Sequence, residues 1–253
     1  MRIRMNTKAM CNVLEDIQMK GKYHNGDTAK NSQLSNYAML ELHDDDTLSV
    51  YNADMTTICS IRFPILGAEG DERPLVTIEI DKTLKYLKTF SETVTLDIGS
   101  YIKVSDDSST ASLPLVVSHP NASMIARLQG YTIDEDNPTF SKVEFETSIV
   151  TTSDNLTDAV KRCDVLNNAR YRFDIDVSSN KFMISSERSV TDRIETSVSF
   201  TEVNGESSTV EVTGQFHKFF RTNTPVRIYL KDDSPVLWEG TGRILVKAPY
   251  LAR

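Results

Sequence analysis

The 253-residue chain has no apolar run approaching the roughly 18 residues that a membrane-spanning helix needs. It opens Met-Arg-Ile-Arg-Met, without the apolar core of a signal peptide. These absences predict a soluble, intracellular protein, cytoplasmic in an archaeon or a virus of a prokaryotic host and nuclear in a eukaryote. Cysteine is scarce: Cys11, Cys59 and Cys163 are an odd number of scattered thiols without CxxC spacing. That excludes a disulfide framework and gives no zinc site, so the three read as small buried hydrophobes.

Motifs that carry chemistry are equally sparse. His24, His43, His119 and His217 lie far apart and form no HxxxH or HExxH spacing, which leaves metal hydrolysis without candidates. Asp44-Asp45-Asp46 lacks the glycine and terminal glutamate of a calcium loop and reads as a solvated turn. No GxxxxGK or GxGxxG loop is present to cradle a phosphate. Ser153-Asp154-Asn155 matches one element of serine β-lactamases, but no SxxK or KTG accompanies it, and at a helix start the triplet is capping chemistry. Asn121-Ala122-Ser123 and Asn155-Leu156-Thr157 fit the glycosylation pattern without a secretory signal to make it relevant. The expectation is a protein that is not an enzyme and uses no metal or cofactor.

What the chain does contain is a repeated plan. Residues 80–88 followed by Val94-Thr95-Leu96-Asp97-Ile98 have a counterpart in residues 212–219 followed by Val226-Arg227-Ile228-Tyr229-Leu230, at an offset of 132. Leu84 falls on Phe216 and Ile98 on Leu230. In each copy a basic amphipathic stretch leads into an alternating strand. The duplication predicts two domains of roughly 115 to 120 residues, each long enough to bury its own core. Periodicity predicts, in the first domain (1–117), strand 2–5, helix 6–22 capped by Asn6, strands 37–42, 47–51, 57–63 and 75–80, helix 81–90, and strands 94–98, 101–104 and 109–117. Residues 118–141 show no convincing period and read as the interdomain connector, unusual for a tether in carrying Met124, Ile125 and Leu128. The second domain (142–253) replays the plan with strand 142–149, helix 151–163, strands 170–177, 181–187, 195–202 and 209–212, helix 213–221, and strands 226–230, 236–239 and 243–247.

The formal net charge of −8 argues against a nucleic-acid partner until its distribution is read. The four short helices carry Lys8, Lys20, Lys22, Lys82, Lys85, Lys88, Lys161, Arg162, Lys218 and Arg221 against only Glu15, Asp16, Asp81, Asp154 and Asp158. An acidic body with basic helices suits a protein that presents one surface to DNA and keeps the rest repulsive to it.

A βαβββ unit occurring twice per domain, with a long connector and basic helices, resembles the sliding DNA clamps of the proliferating cell nuclear antigen family. The residue-level likeness concentrates in Phe216 to Leu230, then Ser234-Pro235-Val236-Leu237-Trp238-Glu239 and the ending Val246-Lys247-Ala248-Pro249-Tyr250-Leu251-Ala252-Arg253. The resemblance implies an α+β DNA clamp fold with sheets outside and short helices lining a ring. It implies a homotrimer that encircles double-stranded DNA without sequence preference and tethers DNA polymerase, a clamp loader and other replication and repair clients. The DNA-facing set it implies is the ten basic residues above with His217. It places the subunit interface on two edge strands, with Ser109, Ala111, Leu113 and Leu115 on one and Lys181, Met183, Ile184 and Ser186 on the other. The partner-binding groove it implies comprises Val50, Met124, Ile125, Leu128 and Pro235, with Val246 or Tyr250 in the tail position. The alternative from another class is a β-rich structural or assembly protein whose duplication serves packing alone.

Overall fold

In each half of the chain the first strand is hydrogen-bonded to a strand that lies far beyond it in sequence. The computed structural model describes residues 1–19, 36–54, 56–70, 75–90, 92–98, 102–103, 110–118, 125–133, 143–214 and 216–251. Lys20, Lys22, Ser109 and Met124 lie outside the described residues. The described residues of Met1–Gln18, Ser35–Asn52 and Ser60–Thr139 form one compact unit, and those of Met19–Leu34, Ala53–Cys59 and Phe140–Arg253 form a second, so the end of the strand Thr47–Ala53 and the start of the strand Thr57–Pro64, whose other residues lie in the first unit, belong to the second.

The first unit runs β1 (Arg2–Asn6), α1 (Thr7–Ile17), β2 (Tyr37–Leu42), β3 (Thr47–Ala53), β4 (Thr57–Pro64), β5 (Gly67–Glu69), β6 (Val76–Glu79), α2 (Ile80–Leu87), β7 (Thr93–Ile98), β8 (Ile102–Lys103), β9 (Thr110–Ser118) and β10 (Ile125–Ile133). The second runs β11 (Thr147–Thr152), α3 (Ser153–Cys163), β12 (Arg170–Asp176), β13 (Lys181–Glu187), β14 (Arg193–Ser197), β15 (Phe200–Gly205), β16 (Ser208–Thr213), β17 (Pro225–Leu230), β18 (Val236–Gly240) and β19 (Arg243–Lys247). Pairing repeats between the two. β1 lies between β5 and β7, as β11 lies between β15 and β17. Ile3 sits opposite Leu96, and Ile149 opposite Ile228. Leu96 and Ile228 are the positions that the sequence offset superposes, so the duplication extends to cross-strand register.

The alternation of apolar residues along β1 (Ile3, Met5) and the helical spacing of Met10, Val13, Leu14 and Ile17 bury one face of each element against the other. Asn6 ends the strand and caps α1, its side-chain oxygen accepting from the Ala9 N–H at 2.9 Å. At the far end, Asn52 Nδ2 donates to the Ile17 carbonyl. The second core is aromatic: Phe216 stacks on Trp238 with centroids 5.3 Å apart, and Tyr171, Phe173 and Phe182 close around them.

Several expectations are corrected. The first helix stops at Ile17 and the second spans Ile80–Leu87. The expected helix 213–221 is a single 3-10 turn, His217–Phe219. Thr213 still belongs to β16, Gly214 follows at φ 77° and Phe220 is already extended again, so only one turn of helix fits between them, and from it Phe216, Phe219 and Phe220 reach the core. The expected strand 195–202 is two strands in different sheets, because the linker residue Val198 is buried and donates its N–H to the Phe182 carbonyl, turning the chain. The expected connector holds a nine-residue strand, β10, which pairs with β9 along its whole length and with β6 at Tyr131 and Thr132. Its β-branched and aromatic residues suit a ladder, and the β9 backbone needed partners. Cys11 is partly exposed rather than buried.

Gly205 closes β15 at φ 94°, where any Cβ would lie 1.8 Å from the Glu146 carbonyl oxygen, so only glycine fits. Lys247, at the end of β19, is 6% exposed with its amine 3.1 Å from Thr57 Oγ1. Burial drives its pKa down to about 8, against a weaker opposing pull from the Asp54 carboxylate. Below pH 8 the folded state must hold a buried ammonium. Between pH 8 and 10.5 the unfolded chain binds the extra proton, so this residue's contribution to stability rises with pH across that window. Lys247→Met is expected to stabilise the protein at pH 7 by up to on the order of 3 kcal/mol, with the advantage shrinking toward pH 10.5. Urea unfolding of both proteins at pH 7, 8.5 and 10 measures this, and a gap that stays constant with pH overturns the assignment.

Candidate functional site

The helices present the basic residues one by one. On α2, Ile80, Thr83, Leu84 and Leu87 are buried, which turns Lys82 and Lys85 and the C-cap Lys88 outward at three-residue spacing. Lys8 is exposed on α1. Lys88 Nζ lies 2.7 Å from Glu15 Oε1 on α1, an exposed ion pair that raises the Lys88 pKa. Gln18 Nε2 donates to Asp81 Oδ1 at 2.7 Å and ties the same two helices together. Lys8, Lys82 and Lys85 carry no ion pair to another described residue.

In the second unit, Thr152 caps α3 by accepting from Asn155 N–H, and Leu156, Ala159, Val160 and Cys163 point inward, leaving Lys161 and Arg162 exposed. Lys218 and Arg221 are exposed around the 3-10 turn. These four likewise have no ion pair among the described residues. Ser153 is buried, its hydroxyl donating to the Arg221 carbonyl at 2.6 Å and accepting from Thr224 N–H at 3.1 Å, so it fastens α3 to that turn and is not a nucleophile. His217, expected on the DNA-facing set, is a correction: it is 2% exposed with Nδ1 unpartnered, because the turn that replaces the helix points it inward. No group of three or more potential metal ligands occurs among the described residues.

The expected edge strands are corrected too. β9 has β10 on one side and β7 with β8 on the other, so Ala111, Leu113 and Leu115 sit at internal register positions. β13 lies between β12 and β14, which places Lys181, Met183, Ile184 and Ser186 inside the sheet. The hairpin at 188–192 folds β14 over the outer side of β13, and β14 is the edge of the order β14-β13-β12-β16. Asn168 bonds the Glu187 carbonyl and Ser186 Oγ, which brings the 3-10 turn Asp164–Leu166 toward that hairpin. Val190 on the hairpin is 95% exposed and Val165 on the turn 77%. The sequence reading missed both, though for Val190 an isolated valine between Ser189 and Thr191 was the signal.

Of the expected groove, Val50 is wholly buried in β3 and Val246 is buried in β19 opposite Leu237. Neither burial follows from alternation alone, since Leu48, Ser49 and Val50 are buried in a row on β3 and Leu245, Val246 and Lys247 on β19. Pro235 is half-buried and Tyr250 is 38% exposed, so Tyr250 and not Val246 is the accessible aromatic position of the tail. Ile125 and Leu128 pair with Ser118 and Leu115 in the β9–β10 ladder.

Compared with solved structures, the chain superposes on the PCNA of A. fulgidus bound to the C-terminal region of FEN-1, with a TM-score of 0.69 at 17% identity over 100% of this chain and 99% of that one. The chain has the DNA sliding-clamp fold. PCNA from Thermococcus kodakaraensis gives a TM-score of 0.68 at 11% identity, covering 98% and 99%. The Bacillus subtilis DNA polymerase sliding clamp gives 0.72 at 12%, with all of this chain matching 65% of that longer clamp. The chain spans about two thirds of the length of such bacterial clamps. No family model matches the sequence, and no curated protein does. The clamp fold here is carried by topology and register, with little residue identity.

Burial pushes the His217 pKa down to about 4, with the Asp164 carboxylate opposing and Lys218 and Lys161 reinforcing. The neutral ring contributes stability that is complete above pH 6.5 and lost as pH falls through that value toward 4, because the unfolded chain takes up the proton first. His217→Phe keeps a ring and removes the titration. Thermal melts between pH 7 and 4.5 are expected to show the parent losing on the order of 3 kcal/mol relative to the variant; parallel curves refute the assignment.

Proposed function

We propose that the chain is a sliding clamp, a ring subunit that encircles duplex DNA and tethers DNA polymerase and other replication and repair proteins without catalysing a reaction. The observation that carries this reading is the match of 100% of this chain to 99% of the A. fulgidus PCNA. Its electrostatics support it. The net charge is −8, yet Lys8, Lys82, Lys85, Lys161, Arg162, Lys218 and Arg221 extend from helices and one turn without ion pairs among the described residues. Exposed, flexible cations that meet phosphates and not base edges bind without sequence preference and release easily, as sliding requires. Client binding is supported by relatives solved with peptides, the A. fulgidus PCNA above and a Helicobacter pylori beta clamp bound to a DNA ligase peptide. In this chain the reading assigns Tyr250 and Pro235 to that role.

For ring closure the reading takes β14 as the mating edge of the second unit, since an unpaired strand is a template for another chain. The exposed Val190 on the hairpin that leads into it, with Val165 on the turn after α3, supplies apolar area that a subunit contact would bury. A head-to-tail contact of this kind closes, for two domains per chain, into a homotrimer.

Two experiments test the proposal. Lys82→Glu with Lys85→Glu is expected to leave the particle mass unchanged while weakening retention on nicked circular DNA, with the salt dependence flattened by about one unit of slope per lost phosphate contact. Equal retention of parent and variant at every salt concentration removes α2 from the DNA-facing surface, and retention on linear DNA equal to that on circles defeats encirclement altogether. Val165→Asp with Val190→Asp, both exposed and costly to neither core, is expected to reduce the assembly to single chains by sedimentation at micromolar concentration. An unchanged mass moves the interface elsewhere.

A further inference from the structure

The last described residues do not simply trail off the sheet. Ala248 N–H donates to the Thr56 carbonyl at 2.8 Å and Tyr250 N–H to the Glu211 carbonyl at 2.6 Å. Pro249, between them, has no N–H to lose and fixes its own φ, while restricting Ala248 to extended backbone. The tail is therefore held at alternate residues in an extended form. Glu211 sits in the middle of β16, an edge strand whose other neighbour is β12, so the Tyr250 bond caps an open carbonyl on that edge.

A second set of contacts fixes the tyrosine side chain. Arg170 and Glu211 are a diagonal pair on the outward face of β12 and β16, since Arg172 is directly opposite Glu211 and Arg170 two residues away. The Arg170 guanidinium grips the Glu211 carboxylate in a fork, Nε to Oε1 and Nη2 to Oε2, the latter at 2.8 Å. So oriented, it lies over the Tyr250 ring, 4.3 Å from the centroid. The Arg170 backbone is anchored in turn by Asn168 Oδ1, itself bonded to Ser186 Oγ. Glu211 thus acts twice, its carbonyl holding the Tyr250 backbone and its carboxylate aiming the cation that covers the ring. With the tail so fixed, Tyr250 remains 38% exposed and Leu251 59% exposed.

We infer that Arg170 and Glu211 are positioning residues that hold the C-terminal tail as a rigid apolar ledge for an aromatic or aliphatic side chain of a client peptide. The inference rests on the client-binding role proposed for Tyr250. A tail that is already ordered spares the complex the entropy of ordering it, and an aromatic ring with one side held by a cation presents a defined remainder to the partner. Neither Arg170 nor Glu211 needs to touch the peptide.

The test uses the full chain and a synthetic peptide of pattern Gln-x-x-Leu-x-x-Phe-Phe, with two readouts: peptide affinity by fluorescence anisotropy and amide hydrogen exchange over residues 248–251. Arg170→Ala is expected to speed Tyr250 exchange about tenfold and to weaken peptide binding about five- to twentyfold, through faster dissociation. Arg170→Lys, which keeps the charge and loses the fork, falls between. Tyr250→Ala abolishes the difference, so that the double variant with Arg170→Ala binds no worse than Tyr250→Ala alone. Unaltered exchange in Arg170→Ala overturns the clasp. Faster exchange with affinity within twofold of the parent, while Tyr250→Ala still loses binding, overturns the positioning role and leaves the client site standing. Unaltered affinity in Tyr250→Ala removes the client site itself and the ledge with it, whatever the exchange shows.

Discussion

Both halves of this chain depend on one kind of contact, an antiparallel ladder between the first strand of a unit and the strand that follows its last helical segment. β1 with β7 and β11 with β17 close loops of some seventy to ninety residues, an ordering cost that only a long, well-packed ladder offsets. Each ladder also fixes which face is buried, because a shift of one residue would turn Ile3 and Met5, or Ile149, to solvent. With that face set, α1 and α3 have one direction in which to lay their apolar stripes, and their charged residues are turned outward as a consequence. The basic surface is thus a by-product of register before it is a binding device.

The two units satisfy the same topology with different interiors. The first is packed with aliphatic residues, among them Ile3, Val13, Leu14, Leu40 and Val76, whereas the second gathers Tyr171, Phe173, Phe182, Phe216, Phe219 and Trp238. Large rings reach farther than methyl groups, which is how a 3-10 turn fills the place that α2 fills in the first unit. The substitution has a local cost: His217 is carried inside with an unpartnered nitrogen, as is the Trp238 indole nitrogen. The strand β10 marks the other asymmetry, since among the described residues the second unit has no counterpart to a strand bridging the equivalents of β9 and β6.

Edges decide what the molecule can associate with. A strand paired on both sides offers little to a partner, and this removes β9 and β13 while leaving β14 open and β16 capped at Glu211 by the tail. Charge is likewise uneven: the net charge is −8, while Lys8, Lys82, Lys85, Lys161, Arg162, Lys218 and Arg221 are turned to the surface.

Local pattern determined a great deal. Alternation along Val226 to Leu230, the i, i+3, i+4, i+7 spacing from Met10 to Ile17, the Asn6 cap and the 132-residue offset are all one-dimensional signals, and each survives as structure because propensity, burial and pairing agree there. The outward placement of Lys82 and Lys85 followed from the same helical period. What only tertiary structure decided was anything that turns on which strand lies beside which. Sequence could not reveal that β14 and not β13 is the edge, that residues 125–133 form a ladder, or that Val50 and Val246 face cores, since alternation states which residues share a face and not what covers it. Nor could it bring Arg170, Glu211 and Tyr250 together across eighty residues, because side chains two positions apart on neighbouring strands meet only once the register is set.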